Sequence, residues 1–314
     1  HAHASKLSVY RSSGDYQVAA IAEPNEQLRA VAQSQPLYQD LPWMSIEELL
    51  NLDDVQVVLV ETQVRDLLQT AQMCIDAGKH VHLDKPAGES FPQYQRLLKA
   101  ASERNLMVQM GYMYRYSPAV VLLRDFLQNG WLGDVFEVHT VMSKVVPADA
   151  RRQLAEYPGG IMFELGCHVI DLVTGVLGKP LSVTPWHQHA APIDDQLRDN
   201  MLAVFEYDRA LATVKSSALE VDGFARRHLT VCGTEGTFHI QPLDSPSAVI
   251  SLSQDRGQYH KGSQQVAFDK FTRYVGDAAD MARIIRGEKT VDFDYDHDLA
   301  VQESVLRASG CPIT

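Results

Sequence analysis

The sequence predicts a doubly wound α/β domain with a parallel sheet over residues 1–111. It predicts an α+β domain with a large, mainly antiparallel sheet over residues 112–314. Three observations carry this. At 314 residues the chain exceeds the usual size of one domain. Up to Gly111, short apolar runs alternate with helix-length amphipathic stretches, the pattern of βαβ units. From Leu181 onward the texture changes to strands separated by turn signals.

The opening "HAHASKLSVYRSSGDY" reads as a helix already under way that ends near Gly14. "QVAAIAEP", Gln17 to Pro24, is an apolar run stopped by proline and predicts a buried strand. A helix "NEQLRAVAQSQ" follows, and "SIEELLN" opens another with Ser45 and Glu48 at capping-box spacing. "VQVVLVET", Val55 to Thr62, is a β-branched run of the kind found in strands covered on both faces. Next comes a helix "VRDLLQTAQMCIDAGK" with Gly78 as its C-cap. "HVHLDKP", "SFPQYQRLLKAASERN" and "LMVQMGY" then add a strand, a helix and a strand. Beyond Gly111 a helix is expected from Pro118 to Asn129, a long strand along "DVFEVHTVMSKVV", and one helix from Gly159 to Gly178. Strands follow at "LSVTPWHQHA", "NMLAVFEY", "ALATVKSSALE", "RHLTVCGTEGTFHIQP" and "AVISLS". Tyr207-Asp208-Arg209 and Gly233 to Gly236 mark antiparallel turns among them. Helices at Asp269 to Arg286 and Asp296 to Ala308 close the sequence.

Composition narrows the function classes. Lys plus Arg total 28 against 40 Asp plus Glu, so a net charge of -12 argues against a nucleic-acid footprint or an anionic membrane surface. A small-molecule ligand is the expected partner. The four cysteines are far apart and form no Cys-x-x-Cys pair, which points to a reducing, cytoplasmic setting without a zinc knuckle.

In a doubly wound sheet, ligands bind beyond the carboxyl ends of the strands. Those positions hold Glu23, Thr62 and Gln63, the run Asp84-Lys85-Pro86, and Tyr112 to Arg115. Glu23 stands where a dinucleotide fold places the acid that binds adenosine ribose hydroxyls, or it is a solvated loop carboxylate. Lys85 either donates to a substrate oxygen or forms a solvated ion pair with Asp84. In "GGIMFELGCHVIDLVTGVLG", Glu164, His168 and Asp171 recur at helical spacing and share one face of an otherwise apolar helix. On the residues alone three readings stay open: a core histidine held by a carboxylate, a Glu/His metal site, or a general base oriented by a carboxylate. Tyr112, Tyr114, Arg115 and Tyr157 either line a hydroxylated or weakly anionic ligand or pack at the domain junction.

Taken in order, "GKHVHLDKPAG", "GYMYRYSPA" and "GGIMFELGCHVIDLV" resemble the glucose-fructose oxidoreductase, inositol dehydrogenase and MocA-like (Gfo/Idh/MocA) family over nearly the whole chain. The resemblance implies a Rossmann-like dinucleotide-binding domain, then a substrate-binding and oligomerisation domain whose open sheet forms a homodimer or homotetramer. It implies a nicotinamide cofactor, NAD rather than NADP because of Glu23, and a sugar, polyol or related hydroxy or keto substrate. Lys85 becomes the catalytic lysine of the Glu/Asp-Lys-Pro motif. Glu164 and His168 fall on the Asp-x-Gly-x-His motif, with His168 as proton carrier, and no metal is needed. The alternative is a non-catalytic, cofactor- or sugar-binding regulatory member of the same fold.

Three departures stand out. Glu164 replaces the commoner Asp, and "VETQVRD" lacks the usual Thr-Pro-Asn, leaving Thr62 and Gln63 as weak cofactor contacts. The first strand and its glycine-rich turn are also missing, so a gap is expected in the middle of the sheet, with roughly ten or more residues preceding His1.

Overall fold

The computed structural model describes residues 2–313. The chain forms two compact units, the first comprising the residues up to Gly111 with Tyr274–Asp292, the second Tyr112–Arg273 with the residues from Phe293 onward. This corrects the expected boundary, which places 274–292 in the second domain. The helix Val275–Ile285 instead buries Asp277, Ala278 and Met281 in the first unit. Gln109 Nε2 donates to Asp277 O at 3.1 Å and Tyr16 OH to Ala278 O at 2.7 Å. No local pattern signals this return, because its partners lie far back in the chain.

In the first unit a 3₁₀ turn Ala2–Lys6 leads into α1 (Leu7–Ser12), then β1 (Ile21–Ala22), α2 (Glu26–Gln33), β2 (Trp43–Met44) and α3 (Ile46–Leu50). The chain continues through β3 (Val57–Val60), α4 (Val64–Asp76), β4 (His80–Leu83), α5 (Phe91–Glu103) and β5 (Val108–Met110). Local chemistry sets the helix ends. Asn25 Oδ1 accepts from the Gln27 and Leu28 amides, and Ser45 and Glu48 close the expected capping box at 3.1 and 2.8 Å. Gly78, at φ 75, ends α4 in a Schellman motif, with Gly78 N bonded to Ile75 O and Lys79 N to Cys74 O. Leu67, Leu68, Ala71 and Ile75 form the buried stripe of α4. Each of its larger aliphatics contributes about 2 kcal/mol through its area removed from water.

All strand pairs of this unit are parallel, as βαβ connectivity requires. They stand as two separate sheets among the described residues, β1-β2 and β3-β4-β5. Strand β1 covers two residues of the longer apolar run. The two-residue β2 offers no alternation for a periodicity reading to detect.

The second unit begins with a 3₁₀ turn Met113–Tyr116 and α6 (Pro118–Gln128), where proline fits the first helical turn. Then follow β6 (Val135–Val141), α7 (Ala148–Ala155), a π-helical turn Met162–Gly166 running into α8 (Cys167–Leu177), β7 (Ser182–Gln188), β8 (Asn200–Glu206) and β9 (Leu211–Ser217). After these come α9 (Gly223–Arg226), β10 (His228–Gly233), β11 (Gly236–Ile240), β12 (Ser247–Leu252) and β13 (Gly262–Ala267). With Val275–Ile285 counted as α10, the closing helix Tyr295–Ala308 is α11. The eight strands form one sheet, β13-β12-β11-β10-β6-β9-β8-β7, antiparallel except for the parallel pair β6 and β9. Alternation is strict: Met201, Ala203 and Phe205 of β8 and Leu229 and Val231 of β10 are buried, on the face that α8 and α11 pack against. The opposite face leaves Trp186, Leu202, Leu211 and Val249 exposed. Helix α7 and strand β13 escape a sequence reading because each has a single large apolar residue, Leu154 and Val266, and so no apolar period.

Candidate active site

In the first unit, the carboxyl ends of the parallel strands carry the expected residues. Glu23 follows β1, and its Oε1 accepts the Asn25 amide at 2.8 Å. That bond fixes the carboxylate while leaving Oε2 unengaged among the described residues, a fit for a ribose hydroxyl donor. Thr62 and Gln63 lie at the start of α4, where Thr62 Oγ1 donates to Gln63 O at 3.3 Å and Gln63 Oε1 accepts from Arg65 Nε at 2.8 Å. Asp84, Lys85 and Pro86 follow β4 and are all buried, and Lys85 is only 4% exposed. Lys85 and Asp84 are both buried, so they are not a solvated ion pair.

Around Asp84 the structure assembles a network the sequence does not suggest. Lys6, buried at the start of α1, places Nζ 2.7 Å from Glu61 Oε1, 3.1 Å from His82 Nε2 and 3.9 Å from Asp84 Oδ1. His3 Nδ1 donates to both Asp84 oxygens at 2.8 and 2.9 Å, and His82 Nδ1 donates to Gln109 Oε1 at 3.0 Å. Burial pushes the Asp84 carboxyl up, but the His3 hydrogen bond and the nearby Lys6 more than offset it and hold the group below the usual carboxylate range. Glu61 moves the other way, raised by burial and by Asp84 against the opposing pull of Lys6. Burial, with Lys6 beside it, pushes His82 down to about 3, so its imidazole stays neutral and accepts from the ammonium. His3, Glu61 and Asp84 bring ligand atoms within 4.8 Å of one another and are the one such three-ligand group among the described residues. The Lys6 ammonium already lies against two of the three, supplying the positive charge that an ion would bring.

In the second unit the expected single helix from Gly159 to Gly178 is two structures. The π turn Met162–Gly166 carries Glu164, and α8 carries His168 and Asp171. A π turn widens the residue spacing and rotates the helix beyond it, a device frequent at functional sites. The expected single helix is therefore interrupted between Glu164 and His168. Glu164 faces Lys144, whose Nζ lies 3.3 and 3.5 Å from its two oxygens. His168, 6% exposed, is flanked edge-on by the rings of Tyr112 and Tyr114 at 6.2 and 5.5 Å. Asp171 is buried against Arg115.

Arg115 corrects another expectation. Its Nη2 lies 2.6 Å from both Asp171 Oδ1 and Asp298 Oδ1, its Nε 2.9 Å from Asp171 Oδ1, and its guanidinium stacks 4.3 Å from the Phe293 ring centroid. With the side chain only 3% exposed, these bonds make it an internal tie between the Met113–Tyr116 turn, α8 and α11, and not a ligand-facing cation. Burial pushes both carboxyls up. Arg115 and His297 bring Asp171 below the usual range, whereas burial wins at Asp298, which stays above it. Tyr112 and Tyr114 are likewise buried, so they pack on His168 from within this unit. Tyr114 OH donates to Asp244 Oδ1 at 2.8 Å, and burial, with that carboxylate beside it, pushes the phenol up so that it remains a donor. Tyr157 is half-buried in the turn between α7 and the π turn. Sequence reasoning misses Lys144, Asp244, His297 and Asp298, all brought in by tertiary contacts across separations such as the 183 residues between Arg115 and Asp298.

Comparison with known proteins agrees with this architecture. Residues 2–112 match the model of the oxidoreductase family with an NAD-binding Rossmann fold, and residues 120–239 match the GFO/IDH/MocA C-terminal domain. A trans-1,2-dihydrobenzene-1,2-diol dehydrogenase of Xenopus tropicalis is 26% identical over 248 residues, covering 77% of this chain and 72% of that protein. Among solved structures, an NAD binding oxidoreductase from Klebsiella pneumoniae superposes with a TM-score of 0.83 at 18% identity, over 97% of this chain and 92% of that one. A UDP-N-acetylglucosamine 3-dehydrogenase from Acidithiobacillus ferrooxidans gives 0.82 at 19% identity, over 100% and 95% of the two chains. At such identities the structural likenesses establish the fold, and the two matched domains establish the lineage. The chain belongs to the Gfo/Idh/MocA family of oxidoreductases, with a Rossmann-like NAD-binding domain and a large mixed-sheet C-terminal domain.

Proposed function

We propose that the protein is a nicotinamide-dependent dehydrogenase or reductase that interconverts a carbinol and a carbonyl on a sugar, polyol or related compound. The observation that carries this reading is His168, a buried imidazole beside two aromatic rings and one turn from the Glu164–Lys144 pair, in a chain of NAD-binding family. In the oxidation direction His168 takes the hydroxyl proton of the substrate. Lys85 is assigned as the donor that stabilises charge developing on a substrate oxygen. Glu164 accepts from a substrate hydroxyl and orients it. Bound nicotinamide supplies the acceptor for the carbinol hydride. The rings of Tyr112 and Tyr114 cover the imidazole edge-on.

Glu23 supports a preference for NAD. Its unengaged oxygen suits a ribose hydroxyl, whereas the 2′-phosphate of NADP would meet like charge. The apolar residues on the open face of the eight-stranded sheet support self-association as a dimer or tetramer, which light scattering checks. No helix among the described residues is long and apolar enough to cross a membrane. The function itself is tested by screening sugars, polyols, diols and sugar acids with both cofactors. Substrate-dependent NADH formation is expected, and cofactor binding without turnover of any compound would favour the regulatory alternative.

A further inference from the structure

One histidine closes the loop 189–199 that joins β7 to β8. His189 Nδ1 lies 2.8 Å from Leu197 O, and its Nε2 lies 2.7 Å from Ile193 O. A carbonyl oxygen only accepts, so each contact needs an N–H, and both ring nitrogens carry a proton only in the imidazolium. The neutral ring would turn a lone pair towards one of the two carbonyls. With 35% of the side chain exposed, the ring exchanges protons with solvent. The surrounding charges suit the cation. Asp195 Oδ1 and Asp199 Oδ2 of the same loop stand 3.7 and 3.9 Å from His189 Nδ1. Arg151 of α7 bonds to the same carboxylates, Nε to Asp195 Oδ2 at 2.5 Å and Nη2 to Asp199 Oδ2 at 2.8 Å. Lys215 of β9 bonds to Asn200 and interacts with Asp199 and Glu220 at longer range. The Leu197 carbonyl, with the Ile193 carbonyl and the two carboxylates, holds the imidazole above its ordinary value of 6.5 against partial desolvation.

The loop in turn holds the entry to the π turn Met162–Gly166. Arg198 O, one residue beyond Leu197, accepts from Ile161 N at 3.0 Å. Gly160, at φ 56, lies so close that a Cβ there would come 2.5 Å from the same oxygen. Within the loop, Gln196 sits at φ 59, a left-handed conformation that persists in a non-glycine residue only where surrounding contacts enforce it. We propose that His189 is a pH-dependent clip: as the imidazolium it pins the loop 190–198 and, through Arg198, positions the π turn, and on losing a proton it loosens both. The device is independent of which compound the protein turns over. Its sign follows from linkage. A proton held more tightly in the closed loop than in the open one makes the clip fully effective below about pH 6.5 and weaker as pH rises through the His189 value. His189 is a positioning residue, since its bonds reach the loop and not the reacting groups.

Two readouts on the unaltered protein test this across neutral pH: the His189 ring titration by NMR, and amide hydrogen exchange corrected for intrinsic rates. His189 should titrate above 6.5. Over the interval between 6.5 and that value, protection of the loop 190–198 and of the Ile161 amide should fall by up to about tenfold per pH unit and then level off. Amides of β8 should keep their protection, which separates opening of the loop from global unfolding. His189→Ala should show the weak, high-pH level of loop protection at every pH. Titration of His189 at or below 6.5 overturns the proposal, as does loop protection that stays constant while the ring titrates. A folded His189→Ala protein that keeps the pH dependence of the unaltered one overturns it too. Should that variant fail to fold, the two measurements on the unaltered protein decide the matter.

Discussion

Replacing Arg115 with Met should unfold the second unit under conditions that leave the unaltered protein intact. The guanidinium is almost fully buried and bonds to two equally buried carboxylates, Asp171 and Asp298. Removing one partner of a buried ion pair costs about 3–5 kcal/mol, because the charge left behind is neither solvated nor paired. Here two carboxylates are stranded, and the His297 ring lies 3.4 Å from Asp171. A loss of about 4–5 kcal/mol at neutral pH is expected. At 2–4 °C per kcal/mol for a unit of this size, the melting temperature should drop by about 8–20 °C. The loss should depend on pH with a defined sign. Without Arg115 both folded-state carboxyls titrate above their unfolded values, so the variant binds more protons folded than unfolded and its stability falls as pH rises. Urea denaturation at several pH values checks this, with Arg115→Lys as a milder companion. A destabilisation below about 1 kcal/mol, accompanied by a raised KM, would show that Arg115 binds ligand and that the network contributes little.

The same geometry sets four further outcomes. Lys85→Met should remove turnover while leaving the melting temperature within a few degrees, and near-normal turnover would exclude the lysine from the mechanism. His168→Asn should lower kcat by roughly 10²–10⁴, and a variant that instead fails to fold, with no separable kinetic defect, would mark a structural core histidine. Burial pushes Asp277 up to about 6, so the folded first unit holds a proton that the unfolded chain releases near its ordinary value of 3.8. Stability should therefore decline by up to about 3 kcal/mol between pH 4 and 6 and level off above, with Asp277→Asn flattening the slope; an unchanged slope in that variant would assign the decline elsewhere. Glu23→Ser should narrow the ratio of kcat/KM between NAD and NADP, and an unchanged ratio would reduce Glu23 to a loop-capping residue.

Much of the fold is legible because local signals encode it. The apolar run of β3, the stripe of α4, the capping box at Ser45 and the glycine at position 78 each act within one or two helical turns, and each appears as expected. The site is legible only as an inventory of residue types. Glu164, His168 and Asp171 are visible as a triplet, but the π turn that carries Glu164 depends on how residues 162–166 pack against β9 and α11, which no spacing records. The partners that decide what each group can do, Lys144 for Glu164 and Asp298 for Arg115, come from segments distant in sequence. The same is true of Lys6 and Glu61 around Asp84. Buried charges need such partners, and folding alone selects which ones they find.

The measurement that bears most directly on the proposed activity is NADH formation by the purified protein across a panel of polyols, diols and sugars, run in parallel on His168→Asn and on both proteins' cofactor affinity. Substrate-dependent NADH production that falls by at least about 100-fold in the variant, with cofactor binding unchanged, is the expected result. Equal NADH production by the two proteins, or tight binding of cofactor and sugar by both with no reduction of NAD, would contradict the assignment of His168 as the proton carrier of a dehydrogenase.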